Sequence, residues 1–131
     1  MKSFDEIKTK IGSIVFKEPF NLIVAIANGG IIPAALLNQR LQVELQLLKI
    51  NLRNARQQPI YDTPQLISPI EFDYKGRSIL LVEDRVKTGA TLLFAKKLLE
   101  KDAQIVKTFA INGQADYHLF DEACFKFPWI L

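Results

Sequence analysis

Apolar and polar positions alternate along this chain in two different periods, and the changes of period mark out its elements. Ser3, Phe4, Asp5 and Glu6 form a capping-box pattern, and Phe4, Ile7, Ile11, Ile14 and Val15 recur at helical spacing. The chain is therefore predicted to open with an amphipathic helix that ends near Lys17-Glu18-Pro19. Leu22 to Ala27 is an unbroken apolar run closed by Asn28-Gly29-Gly30, the pattern of a strand buried on both faces of a parallel sheet. Ile31 to Leu41 follows as a helix, with Pro33 in its first turn. Val43 to Leu52 reads as a second strand.

Arg53 to Pro64, mixing polar residues with Pro59 and Pro64, is expected to be a long mobile loop. Ile70 to Tyr74 alternates like an exposed strand, and Lys75-Gly76-Arg77 forms a turn. Ser78 to Val82 is another buried strand, ended by Glu83-Asp84. Thr88 to Lys101 places Leu92, Ala95, Leu98 and Leu99 on one helical face and Lys96, Lys97 and Glu100 on the other. Ile105 to Ile111 is the next strand. Asn112 to Leu131 reads as irregular, with a last strand around Ala123 to Phe127. Strands alternating with helices imply an α/β doubly wound, mainly parallel sheet flanked by helices. Without repeats or linkers, residues 1–131 are read as one domain.

Composition narrows the picture. The 131 residues are 49% hydrophobic and 24% charged, as in an ordinary globule. One cysteine excludes a disulfide framework and a multi-thiolate zinc site. The net charge of +3 suits anionic small molecules but is too small to argue for nucleic acid. No apolar run is long enough for a membrane span, and the first residues lack a signal-peptide pattern; a cytoplasmic location is the expectation. His118, with Asp116, Asp121 and Glu122 nearby, reads as a solvated segment rather than a metal site.

The chemistry concentrates at two strand ends, because ligands of open parallel sheets bind outside the carboxyl ends of the strands. One end is Asn28-Gly29-Gly30. The other runs from Ile79 through Glu83, Asp84, Arg85, Val86 and Lys87 to Thr88-Gly89-Ala90-Thr91. Small residues at Thr88, Gly89 and Ala90 let backbone N–H groups converge, Thr88 and Thr91 add hydroxyls, and the helix that follows favours an anion. The adjacent carboxylates of Glu83 and Asp84 suit a diol or a hydrated magnesium ion.

An acidic pair after an apolar strand, followed by Thr-Gly-x-Thr, resembles the phosphoribosyl-pyrophosphate motif of the type I phosphoribosyltransferases. The likeness extends to Ile26 through Leu37, similar to that family's pyrophosphate loop, and to Phe127-Pro128-Trp129, similar to the carboxyl end of bacterial 6-oxopurine (hypoxanthine and xanthine-guanine) enzymes. The resemblance implies that Glu83 and Asp84 bind the ribose hydroxyls with magnesium nearby, so that Glu83, Asp84 and Lys87 form the catalytic set. Lys87, Thr88, Gly89, Ala90 and Thr91 would surround the 5-phosphate, and Asn28, Gly29 and Gly30 the pyrophosphate. Arg53, Arg56 and Tyr61 would belong to a lid, and Ile111, Cys124 and Phe125 to the base pocket.

The same resemblance implies a homodimer whose substrates are phosphoribosyl pyrophosphate and a nucleobase, or a nucleotide, with purine salvage as its role. Three positions depart from the family pattern: Lys87 replaces an Asp, Asn28 replaces an Arg or Lys, and Ile111 replaces a Lys. Two readings follow: transfer of ribose 5-phosphate to or from a purine-like base, or a non-catalytic nucleotide- or sugar-phosphate-binding protein on the same fold. A subunit with a vestigial site is the third.

Overall fold

The computed structural model describes residues 2–51 and 64–131. Its first helix, α1 (Phe4–Ser13), is closed at its start by the expected capping box: Glu6 N–H donates to Ser3 Oγ at 3.1 Å and Ser3 N–H donates to Glu6 Oε1 at 3.3 Å. α1 stops a turn earlier than the spacing predicts. Ile14 is extended (φ −67°, ψ 136°) and Val15 is exposed, so the helix ends once Ile7 and Ile11 have been buried.

β1 (Leu22–Ala27), α2 (Ile31–Leu41), β2 (Glu44–Asn51), β3 (Gln65–Leu66), β4 (Ser78–Arg85), α3 (Ala90–Glu100), β5 (Ile105–Asn112) and β6 (Tyr117–Phe120) complete the order. The sheet runs β3-β2-β1-β4-β5-β6; every neighbour pair is parallel except β2 with β3. β1 feeds β2 on one side while β4 feeds β5 on the other, which puts the reversal of strand order between β1 and β4.

Both faces are covered. Ile23 and Ala25 of β1 with Leu80 and Val82 of β4 face α1 and α2, packing with Ile7, Ile11, Ala34 and Leu37. Their alternates Leu22, Val24, Ile26, Ile79 and Leu81 face α3, against Leu92, Ala95 and Leu99. The α/β doubly wound reading holds, and continuous apolar runs in β1 and β4 are what a sheet buried on both faces requires.

Three local expectations are corrected. Ile70 to Tyr74 is not a strand; the antiparallel partner of β2 is Gln65–Leu66. The alternation of Phe72 and Tyr74 is met by packing of their side chains on the α3-side core and on each other, rings 6.1 Å apart. Arg77 holds this segment through its guanidinium, which donates to Asp73 O, Asn21 O and Oδ1, and Glu44 Oε1. Glu83 and Asp84 do not end the strand either, since β4 continues through Arg85.

The last strand is Tyr117–Phe120, not Ala123 to Phe127. It lies parallel to β5 after a return of only residues 113–116, where parallel neighbours ordinarily need a dozen residues or more. Asp116 makes the short return possible: its Oδ2 accepts from Thr108 N–H at 2.9 Å and from Thr108 Oγ1 at 3.0 Å. Residues 123–127 leave the sheet and carry Phe127 into the core, where it stacks on Trp129 at 5.0 Å.

Candidate functional site

The ends of β1 and β4 meet at the point where strand order reverses, the place where open α/β sheets bind ligands, and the end of β5 lies beside that of β4. At the end of β1, Asn28, Gly29 and Gly30 turn the chain into α2, after a cis peptide between Ala27 and Asn28. A Cβ on Gly29 would lie 2.7 Å from Asp84 Oδ1, so the bare backbone of this turn touches the acidic pair of β4. Gly30 is bare for another reason: a Cβ there would lie 2.3 Å from Val82 O and 2.9 Å from Ile26 O. Its N–H already donates to Ile26 O at 2.8 Å. Gly30 therefore packs the turn onto the sheet, and Gly29 is the glycine that faces the site.

At the end of β4 the two acids are close-packed. Glu83 Oε1 accepts from Asp84 N–H at 3.0 Å, and Asp84 Oδ1 accepts from Arg85 N–H at 2.6 Å. Burial of the Glu83 carboxyl, followed by the charge of Asp84, pushes its pKa well above the ordinary carboxylate value. Some of the Glu83 surface nevertheless remains accessible. Lys87, Thr88 and Ala90 are exposed, and Gly89 takes φ +85°, a left-handed conformation that a residue without Cβ adopts freely. Thr88 Oγ1 accepts from Ala90 N–H at 3.2 Å; apart from that bond, no side chain caps α3 at Gly89. The first turn of a helix carries N–H groups without intrahelical acceptors, so this end of α3 is open to an anion.

The third strand end was not legible in the sequence. Gly113 has φ +118°, and a Cβ there would meet Val86 O at 2.3 Å, while Val86 N–H donates to Asn112 O at 2.9 Å. These contacts seat the loop that carries Lys87 against the end of β5. Buried Asn112 also grips the carboxyl-terminal segment: its Nδ2 donates to Glu122 O at 3.1 Å and its Oδ1 accepts from Glu122 N–H at 3.0 Å. An Asn-Gly pair directly after a buried strand was the available signal.

Beside Asp84 opens a pocket of about 420 Å³ lined by Asp84, Arg85, Cys124, Phe125, Lys126, Phe127 and Ile130. Two of the three expected base-pocket residues, Cys124 and Phe125, are there. Ile111 is not: it is fully buried in the core between the sheet and α1–α2. Arg53, Arg56 and Tyr61 lie outside the described residues. Among the described residues no three acids, histidines or cysteines group as a metal cluster. His118 meets Ala115 O at 3.2 Å, Asp121 binds Gln114, and Glu122 pairs with Lys2. No helix among the described residues is long and apolar enough to cross a membrane.

Residues 1–129 match the family described as the phosphoribosyl transferase domain. The xanthine-guanine phosphoribosyltransferase of Gluconobacter oxydans is 32% identical over 83 residues, 63% of this chain and 49% of that protein; the chain spans about half the length of that relative. The enzyme of the same name from Idiomarina loihiensis is 28% identical over 119 residues, 86% of this chain and 72% of that protein. Among solved structures, the purine phosphoribosyltransferase of Pyrococcus horikoshii superposes with a TM-score of 0.81 at 22% identity, covering 98% of this chain and 91% of that one. At that identity the likeness is one of fold.

Proposed function

Because the chain belongs to the phosphoribosyl transferase family, we propose that it binds phosphoribosyl pyrophosphate and transfers ribose 5-phosphate between pyrophosphate and a purine-like base. The observation that carries this is the contact of Gly29 with the Asp84 carboxylate across the switch point, with the open end of α3 next in the chain. It juxtaposes what a phosphorylated ribose needs: carboxylates for its hydroxyls, an anion site for its 5-phosphate, and a bare turn for its pyrophosphate.

The reaction displaces pyrophosphate from the anomeric carbon by a ring nitrogen of the base, through an oxocarbenium-like state. Glu83 and Asp84 accept hydrogen bonds from the ribose hydroxyls and place negative charge beside the ring as it becomes cationic. Thr88 and Thr91 hydroxyls, the first-turn N–H groups of α3 and the Lys87 ammonium hold the 5-phosphate. Gly29 lets the pyrophosphate approach the backbone, with the Asn28 amide beside it. Positioning of the two reactants accounts for most of what the chain supplies.

The donor set fits magnesium, which takes one or two carboxylates and completes its shell with water and substrate phosphates. Glu83 and Asp84 would hold it, and when bound it neutralises the pyrophosphate leaving group. A homodimer and a cytoplasmic location belong to the same proposal.

Lys87 and Ile111 favour a second reading, a nucleotide- or sugar-phosphate-binding protein without turnover. Lys87 is an exposed cation at the position where the 6-oxopurine enzymes carry an Asp, and Ile111 is sealed in the core. With Asn28 the pyrophosphate site also lacks one cation, a charge-assisted contact worth about 1.5–3 kcal/mol. Calorimetric titration with phosphoribosyl pyrophosphate and magnesium, followed by pyrophosphate release over a panel of free bases, separates the two. Binding with release supports transfer; binding without release supports the second reading, and no binding refutes both. Replacing Glu83 and Asp84 together by Ala is expected to abolish binding, and unchanged affinity would refute the site.

A further inference from the structure

Arg85 is a charged residue at the site that the phosphoribosyl half leaves unused. It is the last residue of β4, and its side chain lines the pocket of about 420 Å³ with Phe125 and Phe127. Two contacts hold the guanidinium: Nη2 donates to Phe125 O at 2.6 Å, and the group lies 4.6 Å over the ring of Phe127. Nε is buried with no acceptor. A guanidinium has five N–H donors, and among the described residues one of them is matched. Neither of the two ion pairs there, Lys2 with Glu122 and Arg77 with Glu44, involves Arg85.

The pocket thus contains a cation with a fixed plane and spare donors that forms no ion pair among the described residues, beside the Asp84 carboxylate and walled by aromatic rings. Lys126, also in its lining, adds a second positive charge. Arg85 as a whole is half-buried, and terminal donors without an acceptor there are costly; a ligand oxygen would remove that cost at the Nη nitrogens, while the sealed Nε stays out of its reach. Ile111 cannot donate to a ligand, being apolar and fully buried.

On the phosphoribosyltransferase reading of this site, we propose that Arg85 is the specificity-determining residue of the base pocket, donating to a ring carbonyl oxygen and so selecting oxo-substituted bases over amino-substituted ones. The fork geometry matches a carbonyl oxygen and the adjacent ring nitrogen of an oxopurine, the pairing that arginine makes with guanine O6 and N7. An amino group at the same place turns its own donors toward those of Arg85. At the Arg85 fork such a ring leaves both sides unpaired, which disfavours it.

Nucleoside monophosphates test this, because they share the phosphoribosyl half and differ in the base. The full chain is titrated calorimetrically with inosine, xanthosine and adenosine monophosphates, and with phosphoribosyl pyrophosphate and magnesium as the reference. The wild type is expected to bind the two oxo nucleotides at least about tenfold more tightly than the amino nucleotide, the scale of one hydrogen bond to a charged group. Arg85→Leu is expected to bring that ratio near unity while phosphoribosyl pyrophosphate affinity stays within about twofold; Arg85→Lys, which keeps the charge and loses the fork, is expected to fall between. The unfolding midpoint of each variant is measured alongside, and the wild-type ratio tests the proposal with no variant at all. A wild type that binds phosphoribosyl pyrophosphate but does not discriminate among the nucleotides overturns the role of Arg85 and leaves the phosphoribosyl reading standing. Equal loss of oxo and amino nucleotides in Arg85→Leu also overturns it, and a wild type that binds neither phosphoribosyl pyrophosphate nor nucleotide overturns both.

Discussion

One methyl group, added at Gly29 or at Gly30, separates the site from the fold. In Gly29→Ala the new Cβ falls 2.7 Å from Asp84 Oδ1 and 2.8 Å from Asp84 Cγ and Oδ2, so it meets the end of a side chain that can rotate away. Moving that carboxylate off its rotamer costs about 0.5–1.5 kcal/mol, partly offset by the lower chain entropy of Ala in the unfolded state, about 0.4–1 kcal/mol. In Gly30→Ala the Cβ falls 2.3 Å from Val82 O, 2.9 Å from Ile26 O and 3.0 Å from Ile26 N. These are backbone atoms of the two central strands and cannot yield. Gly30 has φ −81°, which Ala adopts without strain, so the contact is the whole penalty, about 1–3 kcal/mol by the cost of overpacking.

At about 3–5 °C per kcal/mol for a domain of this size, Gly30→Ala should melt about 3–15 °C lower and Gly29→Ala within about 5 °C of the wild type. Binding should invert that order among folded molecules. Displacing Asp84 removes hydrogen bonds from ribose hydroxyls to a charged group, about 1.5–3 kcal/mol, or about 10- to 150-fold in affinity. Thermal denaturation and calorimetric titration with phosphoribosyl pyrophosphate and magnesium measure the two effects. If Gly29→Ala binds within twofold of the wild type, Asp84 does not hold the ribose there. If Gly30→Ala melts no lower than Gly29→Ala, the contact reasoning is wrong.

Three further outcomes are expected. The Glu83 carboxyl is held above its ordinary pKa of 4.5 by burial and by Asp84, so the stability it contributes is complete below that value and is lost as pH rises through its raised folded value. Glu83→Gln should therefore melt higher than the wild type at neutral pH, with the difference shrinking towards pH 4; a constant difference across a melting series would contradict the shift. Lys87→Asp changes an exposed residue and should alter stability by no more than about 0.5 kcal/mol, while weakening phosphoribosyl pyrophosphate binding and raising pyrophosphate release with oxopurines; release that stays flat would show that the missing carboxylate does not limit the chemistry. Asn112→Ala removes both bonds to the Glu122 backbone and should cost about 1–3 kcal/mol, with faster amide exchange over residues 122–127; unaltered exchange there would show that the clamp does not hold the pocket wall.

Much of this is legible in the sequence. The capping box at Ser3 and Glu6, the double-faced burial of Leu22–Ala27 and the passage from strand to helix between Glu83 and Thr91 each depend on residues within a turn or two of one another. Arg85 stands inside that same stretch yet carries no signal of its own, because its placement depends on Phe125, 40 residues further on. The strand expected around Ala123 to Phe127 failed for a related reason. Its apolar residues have the pattern of sheet, but Phe127 packs beneath Trp129, and Tyr117–Phe120 takes the edge of β5, tied there by the bond of Asp116 to Thr108.

By itself, then, the order of residues determined the α/β layering, the apolar strands and the two loops that flank the switch point, since periodicity and turn chemistry act between near neighbours in the chain. Only the tertiary structure decided that Gly29 rather than Gly30 faces Asp84, that Ile111 is sealed in the core, and that Arg85 lines the pocket with most of its donors unmatched among the described residues. Those outcomes depend on which distant segments exclude one another's volume and satisfy one another's polar groups, and packing between segments settles that only once the chain has closed on itself.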